Sequence, residues 1–293
     1  VNTTGVRRLR VYLDALRQKL NIPYLVKNDP VQFVHKFKKK NDIEIAGFFA
    51  SHLAFGRVKM IIKNLEKLFS IMEWSPYDFV MDFKNTKSGP FSDFVHRFIN
   101  GRDVETIVSC LKEVYRDHSG LEDFFLEGYS SSDKNLLSAI NRFVDNFYSL
   151  QTLKNAEAKA MNRKNNAGIH FFIPPPGSKS AYKRLNLFLR WMVRYEKGLD
   201  TGLWKRIKPS QLIIPLDTHI ARISENIGLT RKKTHDMKMA VEITENLKLL
   251  DSEDPLKYDF VLCHMGISER CRGRYEFESC GKCKLFKICM FIK

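Results

Sequence analysis

The chain has 293 residues, 44% apolar and 28% charged, with a net charge of +16 and a pI near 9.5. This apolar content excludes a disordered chain, and the length suffices for a sizeable core and about two domains. The charge calls for a polyanionic partner, nucleic acid ahead of an acidic membrane surface. No apolar run approaches the ~18 residues of a membrane span, and no apolar h-region follows the basic stretch Val1 to Arg10. The expectation is a soluble, monomeric, cytoplasmic protein associated with the nucleoid and making no use of a membrane. Reducing conditions there favour metal thiolates over disulfides.

Taken in chain order, the pattern is helical almost throughout. Val6, Leu9, Leu13, Leu16 and Leu20 form an amphipathic stripe. Asp29-Pro30 is a cap followed by proline at the first helical position. The apolar stretch Ile43 to Met72 predicts two helices broken at Gly56. Cys110 lies in the apolar run Ile107 to Val114. A cap near Ser131 precedes the stripe Leu137, Ile140, Val144 and Phe147. Gln151 to Lys179 predicts a loop, because Pro174, Pro175 and Pro176 exclude a helix, and His170 to Ile173 predicts a short extended piece.

Lys183 opens a further helix. At 100° per residue Lys183, Asn186, Arg190 and Arg194 fall near one line, a cationic stripe that either lines a nucleic-acid groove or is simply solvated. Asp217 stands before an amphipathic helix carrying Ile220, Ile223 and Ile227. The stripe Ala240, Ile243, Leu247 and Leu250 follows, and Asp254-Pro255 opens a last helix with Leu256, Phe260, Cys263 and Ile267 inward. The segments are 1–150, a helical region; 151–180, a loop; 181–270, a helical domain with the candidate chemistry; and 271–293, a cysteine loop.

Cys110 and Cys263 are expected as small buried hydrophobes. Cys271, Cys280, Cys283 and Cys289 form C-x8-C-x2-C-x5-C, a set of four thiols suited to one metal centre. A short segment poor in large apolar residues needs such a staple. Thiolates suit a [4Fe–4S] cluster or zinc, and spacing alone leaves both open. Arg270, Arg272, Arg274, Lys282, Lys284 and Lys287 decorate the same loop and make it a candidate phosphate clamp.

Three features together resemble the helix-hairpin-helix DNA glycosylases of the endonuclease III and adenine glycosylase type. They are the cysteine quartet, the segment Pro215-Leu216-Asp217-Thr218-His219-Ile220, and Lys183-Arg184-Leu185-Asn186 at a helix start. More weakly, Asp42 to Phe69 resembles the early helix pair of that fold. The same motif set, with Lys257-Tyr258-Asp259-Phe260, also resembles a bacterial family of no assigned function. The chain departs from the glycosylases in three ways. Its first cysteine interval is x8 where theirs is x6, Lys183 and Asp217 lie further apart (34 residues), and Pro176-Gly177-Ser178-Lys179-Ser180 replaces the glycine-rich hairpin, which makes Lys179 a rival to Lys183.

The resemblance implies an all-α, two-lobed fold with a C-terminal iron–sulfur loop, acting on double-stranded DNA. Asp217 would stabilise the positive charge that builds on the sugar as the N-glycosidic bond breaks. Lys183 would be the nucleophile of a lyase step. Arg190, Arg194, Arg270, Arg272, Arg274, Lys282 and Lys284 would grip the backbone. A target base must leave the stack, with His52, Phe55, Trp191 and Trp204 as candidate pocket residues; His219 is expected to be structural. Two other classes remain: a non-catalytic nucleic-acid-binding protein on the same fold, and a zinc-stapled helical interaction protein.

Overall fold

A computed structural model describes residues 3–84, 89–160, 167–268 and 275–290. In chain order the helices are α1 (Thr3–Gln18), α2 (Ile22–Val26), α3 (Lys40–His52), α4 (Val58–Ile71), α5 (Pro76–Asp82), α6 (Gly101–Asp117), α7 (Leu121–Leu126) and α8 (Leu137–Ser149). They continue with α9 (Gln151–Ala160), α10 (Ala167–Phe172), α11 (Lys183–Val193), α12 (Thr218–Asn226), α13 (Met237–Lys248), α14 (Asp259–Ser268) and α15 (Phe277–Cys280). Four 3-10 turns join them, one of them the Asp29-capped segment Pro30–Lys36. Two antiparallel hairpins are the only strands among the described residues: β1 (Val95–His96) with β2 (Ile99–Asn100), and β3 (Tyr195–Glu196) with β4 (Asp200–Thr201). No described helix is long and apolar enough to cross a membrane.

The chain divides into two compact units, each discontinuous in sequence. Unit 1 holds residues 1–21, 179–190 and 208–293; unit 2 holds residues 22–178 and 191–207. The first amphipathic helix therefore belongs with the C-terminal part of the chain, not with the rest of residues 1–150. Within unit 1, α1 buries Leu9 and Leu13. Its Tyr12 hydroxyl donates to the Lys284 carbonyl, and Asp14 accepts from Tyr258 at 3.0 Å.

In unit 2 the break at Gly56 is present; its φ of +98° is one that a side chain would strain. The predicted stripe of α8 is inward at Ile140, Val144 and Phe147. Its entry differs from the predicted cap at Ser131: the Asn135 side chain accepts from Leu137 N at 3.1 Å.

The span read as a loop carries α9 and α10, and His170 lies in a helical turn where an extended piece was expected. The reason is tertiary. Ile169 and Phe172 are buried, with Phe172 stacked on His52 at 4.9 Å. Gly168 lets the helix approach closely, since a methyl group there would lie 2.1 Å from the Asp103 carboxylate. From Pro174 up to Lys183 the backbone has no helix, as the prolines require.

A buried polar knot also lies in unit 2. Glu44, wholly buried on α3, accepts from Tyr115 Oη and Leu121 N, both at 2.9 Å, and from Trp204 Nε1 at 2.8 Å. Burial nonetheless raises the carboxyl pKa, the three donors and the nearby Lys40 acting against it.

Candidate active site and cysteine loop

Lys183 and Asp217 meet in unit 1. Before Asp217, Leu212 to Leu216 are buried, and Ile214 N is held by Thr244 Oγ1 at 3.0 Å. The apolar run thus anchors the chain up to the residue where the helix must begin. Asp217 is the N-cap of α12: its Oδ1 accepts from His219 N at 2.9 Å and Ile220 N at 2.8 Å. Its other oxygen, Oδ2, lies 3.3 Å from Lys183 Nζ, the first residue of α11. The side chains are 18% and 35% exposed, so the pair is open to solvent on one side.

Neighbouring groups fix both helix starts. Asn186, buried on α11, donates to Ala181 O at 3.0 Å and Tyr182 O at 3.2 Å. This braces a turn in which Tyr182 has a φ of +45°. Arg184 is part-buried, and that burial lowers its pKa to about 10. On the other side α14 packs against α12. Gly266 makes the approach possible, since a methyl group there would lie 2.7 Å from His219 Cβ. His219 thus takes part in helix packing.

Two of the expected backbone-gripping residues have a different place. Arg190 and Arg194 are each only 3% exposed. Arg190 pairs in unit 1 with Asp259, the first residue of α14. Arg194 pairs in unit 2 with Asp200 and Glu196, both at 2.6 Å, closing the β3–β4 hairpin. Buried guanidiniums engaged by carboxylates are structural cations, not a nucleic-acid surface. The stripe Lys183, Asn186, Arg190, Arg194 is therefore an inward polar face, of which Lys183 alone reaches the surface.

His264 packs edge-to-face against Phe260, with ring centroids 4.3 Å apart, beside Arg190, and burial, aided by that charge, lowers its pKa to about 4. His52, Trp191 and Trp204 are core residues, at most 1% exposed.

Of the cysteine quartet, Cys280, Cys283 and Cys289 lie among the described residues; Cys271, Arg270, Arg272 and Arg274 lie outside them. Cys280 ends α15, and its sulfur accepts from Glu276 N at 3.3 Å; the Cys283 sulfur accepts from Leu285 N at 3.4 Å. Each of these two sulfurs is thus approached by a backbone amide of its own loop. The neighbouring Tyr12 hydroxyl has a raised pKa, first from burial and then from Cys283. Lys282 and Lys284 are exposed on this loop. Among the described residues alone no set of three or more His, Cys, Asp or Glu is placed to hold a metal. Cys110 is fully buried, as expected, and burial raises its thiol pKa; Cys263, also expected to be buried, is only part-buried.

Fold and site define a predominantly helical protein in which a lysine and a carboxylate meet at two helix starts. Residues 29–268 match one protein family, so the chain belongs to it: the family described as protein of unknown function (DUF2400). The matched span contains Lys183, Asp217 and Asp259 and ends before Cys271. No curated protein and no solved structure matches the chain.

Proposed function

We propose that this protein is a DNA glycosylase-type enzyme on a helix-hairpin-helix-like fold, cleaving the N-glycosidic bond of a damaged or modified base. The 3.3 Å approach of Lys183 Nζ to Asp217 Oδ2 at two part-exposed helix starts carries this reading. The +16 charge and the exposed Lys282 and Lys284 support a DNA partner.

In the hydrolytic form, the C1′–N bond breaks and the sugar becomes oxocarbenium-like. Asp217 stabilises that charge, water adds to C1′, and the proton it loses goes to the departing base. In the lyase form, Lys183 Nζ would first pass its ammonium proton to Asp217 Oδ2 and then add to C1′ as the base leaves. The proton then lost from Nζ goes to the base, and ring opening gives a Schiff base. Cys271, Cys280, Cys283 and Cys289 would hold a [4Fe–4S] cluster, with zinc as the alternative; its contribution is a rigid centre for a cationic loop.

One observation favours a non-catalytic nucleic-acid-binding role on the same fold. Both Asp217 oxygens are already engaged, by two amides and by Lys183. Duplexes carrying a panel of damaged and modified bases, assayed for free base by mass spectrometry, decide between the two. Release that is lost in Asp217→Asn supports the enzyme, and a borohydride-trapped adduct lost in Lys183→Ala supports the lyase form. Tight binding with no release from any duplex supports the second role.

A further inference from the structure

The β1–β2 hairpin in unit 2 carries a feature outside the Lys183–Asp217 site. Its two-residue turn is Arg97-Phe98, with Arg97 at a φ of +55°. Glycine or asparagine usually occupies that first turn position, and arginine there is strained. As the two turn residues, Arg97 and Phe98 both stand at the tip of the hairpin. Phe98 is 58% exposed and the adjoining Val95 is 63% exposed.

Phe98 does not stand alone. Its ring lies 5.1 Å from that of Phe171, which lies 4.7 Å from Phe55, which in turn lies 4.5 Å from His96. The Arg97 guanidinium lies 5.6 Å over the Phe98 ring. The hairpin is fixed from behind, since Asn64 on α4 donates to Val95 O at 3.2 Å and bonds His96 Nδ1 at 2.8 Å. A row of aromatic rings therefore ends in an exposed one on a braced tip.

The hairpin tip and the neighbouring start of α4 are rich in exposed cations: Arg57, Lys59, Lys63, Arg97 and Arg102, the last of them also acting on Glu105. From Leu53 to Asn64 and from Phe94 to Arg102 the sequence contains no carboxylate. An acidic protein surface would satisfy the cations but not the exposed ring. Unpaired nucleobases on a phosphate backbone satisfy both.

We infer that the β1–β2 hairpin is a stacking platform for unpaired nucleobases, with Phe98 taking a base face and the five cations following the phosphates. The inference deepens the nucleic-acid reading above but does not depend on chemistry at Asp217. The test is fluorescence anisotropy of the full chain with fluorescein-labelled oligothymidine and with an intact duplex of equal length. Phe98→Ala is expected to weaken oligothymidine binding by about five- to a hundredfold and duplex binding much less. Phe98→Trp is expected to retain binding, and Arg57→Ala with Lys59→Ala to reduce the salt dependence.

Far-UV circular dichroism checks that the exposed substitutions leave the fold intact. Unchanged affinity in a folded Phe98→Ala protein overturns the inference. So does binding to phosphatidylserine vesicles with none to oligothymidine. Failure of base release on every substrate overturns the Asp217 chemistry alone and leaves this binding result standing.

Discussion

Replacing Asp217 by asparagine separates the two tasks of its carboxylate. Asparagine caps a helix as well as aspartate does, so the bonds from His219 N and Ile220 N to Oδ1 persist. What is lost is the negative charge facing Lys183 at 3.3 Å, in a pair exposed enough for solvent to screen it. Such pairs contribute about 0.2–1 kcal/mol. Asp217→Asn should therefore cost less than about 1 kcal/mol, and Asp217→Ala, which also removes the cap, about 1–3 kcal/mol. Base release should fall about 100- to 1000-fold in both, the scale for losing a group aimed at developing charge. Urea unfolding followed by far-UV circular dichroism gives the first quantity and mass spectrometry of free base the second. A large stability loss in Asp217→Asn, equal to that of alanine, would refute the division of labour between the two oxygens. Base release undiminished in the asparagine variant would refute the chemistry.

Asp259→Ala removes the carboxylate paired with the buried Arg190 guanidinium, whose side chain is 4% exposed, and should cost about 3–5 kcal/mol in urea unfolding. His264 has a folded pKa of about 4 against an ordinary 6.5, so between those values the unfolded chain binds the proton that the fold refuses. Stability from this group is complete above pH 6.5 and lost as pH falls toward 4, by at most about 3 kcal/mol; His264→Gln should flatten that part of the stability–pH curve. Gly266→Ala drives a methyl group to 2.7 Å from His219 Cβ and should lower stability by about 1–3 kcal/mol through forced separation of α12 and α14. Protein prepared without oxygen should be brown with broad visible absorption, and Cys283→Ser should bleach it; colourless parent protein holding zinc would replace the iron–sulfur assignment.

The parts of the fold legible in sequence are those fixed by local rules. Asp217 announces its cap, Gly56 its break, and α8 and α13 their buried stripes, because each signal lies within one or two turns of the residue it governs. Arg190 and Arg194 were opaque for the opposite reason. Periodicity reports that polar residues share a face, but not that acids meet them there. Asp259 is 69 positions from Arg190 in sequence. Glu44 is similar: within an apolar run it looks like an interruption, and only Tyr115, Leu121 and Trp204 give it a reason to be buried. A proline signal can also be read too widely. Pro174 to Pro176 exclude a helix where they stand, yet α10 ends just before them. The meeting of Lys183 with Asp217 could be expected only through resemblance, since nothing local links them.

The placement of tryptophan has a practical consequence for optical experiments. The chain has three, Trp74, Trp191 and Trp204, and all belong to unit 2. Trp191 and Trp204 are enclosed, while Trp74 is 42% exposed. Indole emission is therefore a monitor of one unit only. Unit 1, with Lys183, Asp217 and the cysteine loop, is dark in that channel. A tryptophan introduced there would give the silent unit its own signal, and the two unfolding curves could then be recorded separately in one molecule.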